Sequence, residues 1–105
     1  MSAPLTEKEF AKHLNTTFRV KGEPPIDLEL TAAKAYMGQS NDDSDMERFS
    51  VFFHGPGDRY LPQSTYALEH EAMGVVDLFL VPIAKDEKGF RYEAVFNYFK
   101  PKAVD

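Results

Sequence analysis

The last third of the chain most restricts what it can fold into. Residues 75–84 and 90–99 read as two long extended segments joined by the turn Lys85-Asp86-Glu87-Lys88-Gly89. In the second, Phe90, Tyr92, Ala94, Phe96 and Tyr98 alternate with Arg91, Glu93 and Asn97. Successive residues of a strand point to opposite faces, so this period of two sends one set of side chains inward and the other to water. The same alternation recurs upstream. Ile26, Leu28, Leu30 and Ala32 are interleaved with Asp27, Glu29 and Thr31, and Phe49, Val51 and Phe53 with Ser50, Phe52 and His54. Two shorter extended pieces, around Phe18-Arg19-Val20 and over residues 65–70, bring the expected strands to six.

Turn signals punctuate these strands at Gly22-Glu23-Pro24-Pro25, Gly55-Pro56-Gly57-Asp58 and Leu61-Pro62-Gln63, the spacing of an all-β barrel or sandwich. One helix is expected, at the N-terminus. Thr6 is placed to cap it, Glu9 to complete a capping box, and Leu5 to pack on Phe10 as a hydrophobic staple. Phe10 and Leu14 share a face, and Asn15-Thr16-Thr17 ends the helix. No second helical period is long enough to build βαβ units. The fold class expected is mainly β: a small antiparallel six-stranded barrel or roll with one short N-terminal α-helix. Residues 1–105 form a single domain, with a helical segment at 1–15, the barrel or roll at 16–99 and a fraying tail at 100–105.

Composition excludes several classes of function. With no cysteine there is no disulfide framework, thiolate nucleophile or zinc–thiolate site. A net charge of −5 and a pI near 5.1 disfavour sequence-independent attraction to nucleic acid or to an anionic membrane. No signal peptide is expected, since the opening residues lack a basic stretch followed by an apolar run, and the longest mostly apolar stretch, residues 74–84, falls far short of the roughly 20 residues of a spanning helix. No nucleic-acid binding, no membrane insertion and no cofactor are expected.

The motifs that carry chemistry elsewhere are incomplete here. Asn41, Asp43, Asp45 and Glu47 resemble the opening of a calcium loop, but the glycine position holds Met46 and the bidentate-glutamate position Phe52. A solvated acidic loop is the better reading. His13, His54 and His70 show no metal-ligand spacing. His70, flanked by Glu69 and Glu71, is the most suggestive of the three, yet alternation points both carboxylates away from it. Ser50 and Ser64 lack a nucleophile elbow, and the glycines at 22, 55, 57 and 89 sit in turns that open no phosphate-cradling helix.

Apolar residues on faces that ought to be polar are the sharper clue. Phe52 shares a face with Ser50 and His54, Val95 and Phe99 share one with Arg91 and Glu93, and Val75, Phe79, Val81 and Ile83 oppose Val76, Leu78 and Leu80. Something covers that second face. Either the N-terminal helix lays Phe10 and Leu14 across it, or the sheet closes so tightly that both faces are partly shielded, or the face docks another protein or a second copy.

Over nearly its whole length the chain resembles a family of short bacterial domains of unknown function, some encoded beside phage-tail-collar-like proteins. The resemblance runs through Phe10-Ala11, residues 17–20, Leu28-Glu29-Leu30 and residues 49–56. It is most specific in Leu61-Pro62-Gln63-Ser64-Thr65-Tyr66, Leu68-Glu69-His70, Met73-Gly74, residues 78–83 and residues 92–97. It implies an accessory, chaperone or structural role in a phage-tail-like assembly, in the cytoplasm or within a phage-like particle, and carries over no catalytic residue. Where relatives tend to have a small aliphatic residue, this chain has Phe52.

The expected function is a non-catalytic protein-interaction or assembly module, binding a protein partner or itself through Phe52, Phe79, Val95 and Phe99. A polar site would draw on His70, Glu69, Tyr66 and Asn97. The alternatives are a small-ligand-binding barrel lined by Tyr66, Tyr92 and Phe96, and, third, a hydrolase-like enzyme using His70 with Glu69 or Asp58.

Overall fold

The computed structural model describes residues 6–22, 24–35 and 46–99, with backbone alone at 46, 47 and 97–99. The acidic segment 41–45 and the tail 100–105 lie outside the described residues, as does Leu5 of the expected staple. Six strands follow a short helix: α1 (Glu7–Ala11), β1 (Thr17–Val20), β2 (Ile26–Ala35), β3 (Met46–Gly55), β4 (Ser64–His70), β5 (Gly74–Asp86) and β6 (Gly89–Phe99). Every pairing is antiparallel, and the order β1-β2-β3-β6-β5-β4 closes into a barrel when β1 meets β4. The mainly β architecture expected from alternation is the one observed.

Alternation decides the interior. Phe18, Val20, Ile26, Leu28, Leu30, Phe49, Val51, Phe53, Leu68, Val76, Leu78, Leu80, Tyr92 and Ala94 are all buried, at two-residue intervals within each strand. Burying each large aliphatic or aromatic side chain contributes about 1.5–3 kcal/mol, a substantial part of what offsets the entropy of ordering the closed sheet.

Two bulges depart from strict alternation. The β2–β3 register slips between Leu30 and Ala32, and the hydroxyl of the extra residue, Thr31, donates to the Phe52 carbonyl at 3.2 Å. The slip reverses the parity of β2, so Ala33 packs against the core and Ala32 turns out to pair with Phe52; the expectation that Ala32 faces inward is corrected. A second slip falls between Pro82 and Ala84, where a proline without an N–H interrupts the β5–β6 ladder and Ile83 is pushed into solvent.

The β5–β6 hairpin is tighter than its composition suggests. The ladder continues to the pair Asp86↔Gly89, leaving Glu87 and Lys88 as the turn rather than the five residues expected. Gly89 has φ +147°, and a β-carbon there would overlap the Gly55 carbonyl oxygen, so only glycine fits where the hairpin end crosses the β3 terminus.

The helix is correspondingly short. Thr6 caps it, its hydroxyl accepting the Glu9 N–H at 3.1 Å, but the Glu9 carboxylate turns to Lys12 (3.3 Å) and His13 (3.4 Å). Asn15, at φ 66°, ends the turn after the helix, and its N–H donates to the Leu30 carbonyl at 2.7 Å. Because α1 stops at Ala11, Leu14 falls off the Phe10 face and remains exposed.

Phe10 itself goes inside the barrel mouth. It is fully buried, with ring centroids 6.3 Å from Phe18, 6.1 Å from Phe49 and 5.6 Å from Phe96. The opposite end is closed by Leu61, whose N–H donates to the buried Tyr92 hydroxyl at 2.9 Å. Both ends of the cylinder are thus filled by the chain's own side chains, as small barrels generally are.

Candidate interaction face and the His70 cluster

Because α1 plugs the barrel mouth, it does not cover the outer apolar face. Register across three ladders aligns Ala32, Phe52, Glu93 and Val81 in one outward row. The next row carries Lys34, Ser50 and Val95, with Ser50 buried between its neighbours. Val95 is 60% exposed, Val75 51%, Phe79 49% and Ile83 47%, large values for side chains whose transfer out of water is favourable. Phe52 is half-buried, and the Lys34 ammonium lies 5.7 Å from its ring centroid. Beside it a groove of about 330 Å³ is lined by Phe52 and Ile83 together with Thr31, Lys34, His54 and Arg91.

Of the four apolar residues read from the sequence, Phe52 and Val95 therefore stand in adjacent rows of β3 and β6, while Phe79 lies on β5 opposite Thr65. Phe99 pairs with Met46 at the end of the β3–β6 ladder, and its side chain lies outside the described residues.

The polar residues singled out with them do not form one site. Tyr66 is at the far end of β4 from the His70 turn, its hydroxyl donating to the Pro62 carbonyl at 2.5 Å. Glu69 projects to solvent opposite Arg19, 4.0 Å from the Lys21 ammonium. Asn97 pairs with Arg48 on the β3–β6 ladder, and its side chain lies outside the described residues. Asp58 is in the exposed turn after β3. Glu69 and His70 do border a common surface cleft with Thr17, Arg19 and Glu71.

His70 is buried and fully bonded. Its Nδ1 accepts the N–H groups of Ala72 (3.0 Å) and Met73 (3.1 Å), and its Nε2 meets the Thr16 hydroxyl at 2.9 Å. Burial holds the ring below the ordinary histidine pKa, reinforced by His13 and opposed by Glu71. The partners Thr16 and His13 escaped sequence reasoning, since strand register alone brings them to His70. Among the described residues no group of three or more His, Cys, Asp or Glu side chains is placed to hold a metal ion.

Asp86 was also missed, although an aspartate opening a D-E-K-G turn is a legible signal. Its Oδ1 accepts from the Lys88 (2.8 Å) and Gly89 (3.0 Å) amides and lies 3.4 Å from His54 Nε2, while Oδ2 accepts from Arg91 Nε at 3.0 Å. The Lys88 amide first, then His54, Arg91 and the Gly89 amide, outweigh partial burial and bring the carboxyl down to about 2. A lowered folded pKa means stability present above the ordinary 3.8 and lost as pH falls toward about 2. Thermal melts over that window should show an acid-labile component that Asp86→Asn removes, with faster amide exchange at Lys88 and Gly89; an unchanged acid limb would show that the carboxylate does not clamp the hairpin.

A family model described as a domain of unknown function, DUF6916, matches residues 5–96. The chain belongs to this family. The match takes in α1, the whole of β1 to β5 and most of β6, so the DUF6916 domain is the capped six-stranded barrel itself. No curated protein and no solved structure matches the chain. No helix among the described residues is long and apolar enough to cross a membrane.

Proposed function

We propose that this DUF6916 domain is a non-catalytic interaction or assembly module that docks a protein partner, or a second copy, on the outer face of β3, β6 and β5. The observation that carries this reading is the destination of Phe10: the helix that would have covered the outer face fills the barrel mouth, leaving Phe79, Ile83 and Val95 about half exposed. Large exposed apolar patches mark interfaces. Resemblance to bacterial domains encoded near phage-tail-collar-like proteins supports an accessory or structural role in a phage-tail-like assembly.

Against an internal ligand weighs the packed interior, in which Tyr92 and the leucines of β2, β4 and β5 are fully buried. Against acid–base catalysis weighs the use of both His70 ring nitrogens in structural bonds. The test is a pair of variants, Phe79→Asp and Val95→Asp, compared by light scattering and by association with whichever structural protein co-purifies with the wild type. Both are expected to weaken association at least about tenfold while changing stability by no more than about 0.5 kcal/mol, the usual range for surface sites. Equal losses of association and thermal stability would show these residues to be core, and a wild-type chain that remains monomeric and captures no structural partner would remove the reading.

A further inference from the structure

His70 sits where the end of β4, the turn Glu71–Met73 and the connection between α1 and β1 converge. A ring nitrogen that accepts two amide N–H groups carries no proton, so the network puts the ring's hydrogen on Nε2. That N–H donates to the Thr16 hydroxyl at 2.9 Å, and the hydroxyl donates to the His13 carbonyl at 2.5 Å. The His13 N–H in turn donates to the Phe10 carbonyl at 2.9 Å. One unbroken series of bonds therefore runs from the β4–β5 turn through His70 and Thr16 to the residue that closes the barrel mouth.

We infer that His70 is an acid-released latch, whose neutral ring ties the β4–β5 turn to the segment carrying the Phe10 plug and whose protonation lets both go. A proton on Nδ1 would aim an N–H at the Ala72 and Met73 donors 3.0 and 3.1 Å away, so the ring must leave its place and take its bond to Thr16 with it. The inference stands apart from the docking reading, since it concerns the closure of the barrel end.

The charged groups around the ring favour release in acid. From the α1 side the His13 ring lies 4.7 Å away, tilted by 59°, its Nε2 3.4 Å from Glu9, which also holds Lys12. The presence of His13 there opposes a charge on His70. From the turn, Glu71 favours the charged ring, but it is exposed and screened. On the β1 side the ring lies 4.3 Å from Phe18, which offers no hydrogen bond, and the adjoining cleft holds Arg19 opposite Glu69, charges of opposite sign that offset each other. Burial is the largest influence and also opposes charge, so the closed form is stable above the ordinary 6.5 and loses ground as pH falls below it toward the lowered folded value.

The experiment is NMR of the full chain labelled with ¹⁵N, from about pH 7.5 to about pH 4.5, reading the His70 ring nitrogens and amide exchange together. At neutral pH the ring should show an unprotonated Nδ1. As His70 titrates, protection at Ala72, Met73 and Phe10 should fall by about tenfold per pH unit, the factor one linked proton supplies, while Val51 and Ala94 stay protected. His70→Asn, whose side-chain oxygen can take over the two turn amides without titrating, should abolish the response. Thr16→Val, which cuts only the link toward α1, should leave the turn acid-sensitive and free Phe10 from it. The latch is overturned if His70 titrates with Ala72 and Met73 still protected, if Val51 and Ala94 lose protection in the same step, or if Phe10 responds to acid unchanged in the Thr16→Val protein.

Discussion

Phe10→Ala is expected to destabilise the domain by about 3–5 kcal/mol, the usual cost of deleting a fully buried aromatic ring. Against a typical total of about 5–15 kcal/mol, that is enough to leave the protein marginal. The size follows from position: the ring touches Phe18, Phe49 and Phe96 at once, on three different strands. Urea unfolding should show a lower midpoint with little change in slope. Leu14→Ala is the matched control, since Leu14 is 37% exposed and should move the midpoint little. A Phe10→Ala cost below about 1 kcal/mol would mean that the ring does not seal the barrel.

Gly89→Ala should be comparably severe for a different reason. A backbone φ of +147° strains any side-chain-bearing residue by about 1–3 kcal/mol, and the added carbon would also drive into the Gly55 carbonyl and come within 3.0 Å of the Gly57 nitrogen. Both obstacles are backbone, so relief requires parting the β5–β6 hairpin end from β3. A loss of at least about 3 kcal/mol is expected, or failure to accumulate as folded protein. Gly74→Ala separates strain from collision. Gly74 also has positive φ, at 75°, but nothing lies within 4 Å of its missing β-carbon, so only about 1–2 kcal/mol should be lost. Equal effects at the two glycines would show that collision with Gly55 is not the controlling factor.

Much of this architecture is legible in the order of residues alone, because the pleat forces it. Once Phe49, Val51 and Phe53 face inward, Ser50, Phe52 and His54 must lie on the opposite face, and the same logic sorts β6 from Arg91 to Phe96. Alternation does not contain the position of an extra residue. Thr31 and Ile83 look like ordinary strand residues, and only the paired register shows that each adds one position and resets the facing of the residues after it. The helix illustrates a second gap. Its cap follows from Thr6, but it stops at Ala11, short of the Asn15-Thr16-Thr17 signal, and an apolar Phe10 serves equally well on the outer wall or in the mouth, the choice depending on the width of an opening that no local segment defines.

The candidate face and the histidine cluster divide along the same line. Phe52, Phe79 and Val95 were conspicuous because they broke a local rule, greasy side chains where polar ones belong. His70 stood out for its neighbours Glu69 and Glu71, which proved to be the wrong partners. Its hydrogen-bond partner, Thr16, lies on the far side of the β1–β4 junction, a relation created by ring closure.

That junction is also the narrowest join in the sheet. β1 meets β4 only at Arg19↔Glu69 and Val20↔Leu68, whereas β3 and β6 run side by side from Met46↔Phe99 to Gly55↔Phe90. Joining positions so far apart along the chain carries a loop-closure entropy that two residue pairs barely offset, while the neighbouring hairpins form from local contacts. The cylinder is therefore best pictured as a curled ribbon with a short hem: the hem is stitched last in folding and gives way first, and His70, one residue beyond Glu69, is the knot at its end.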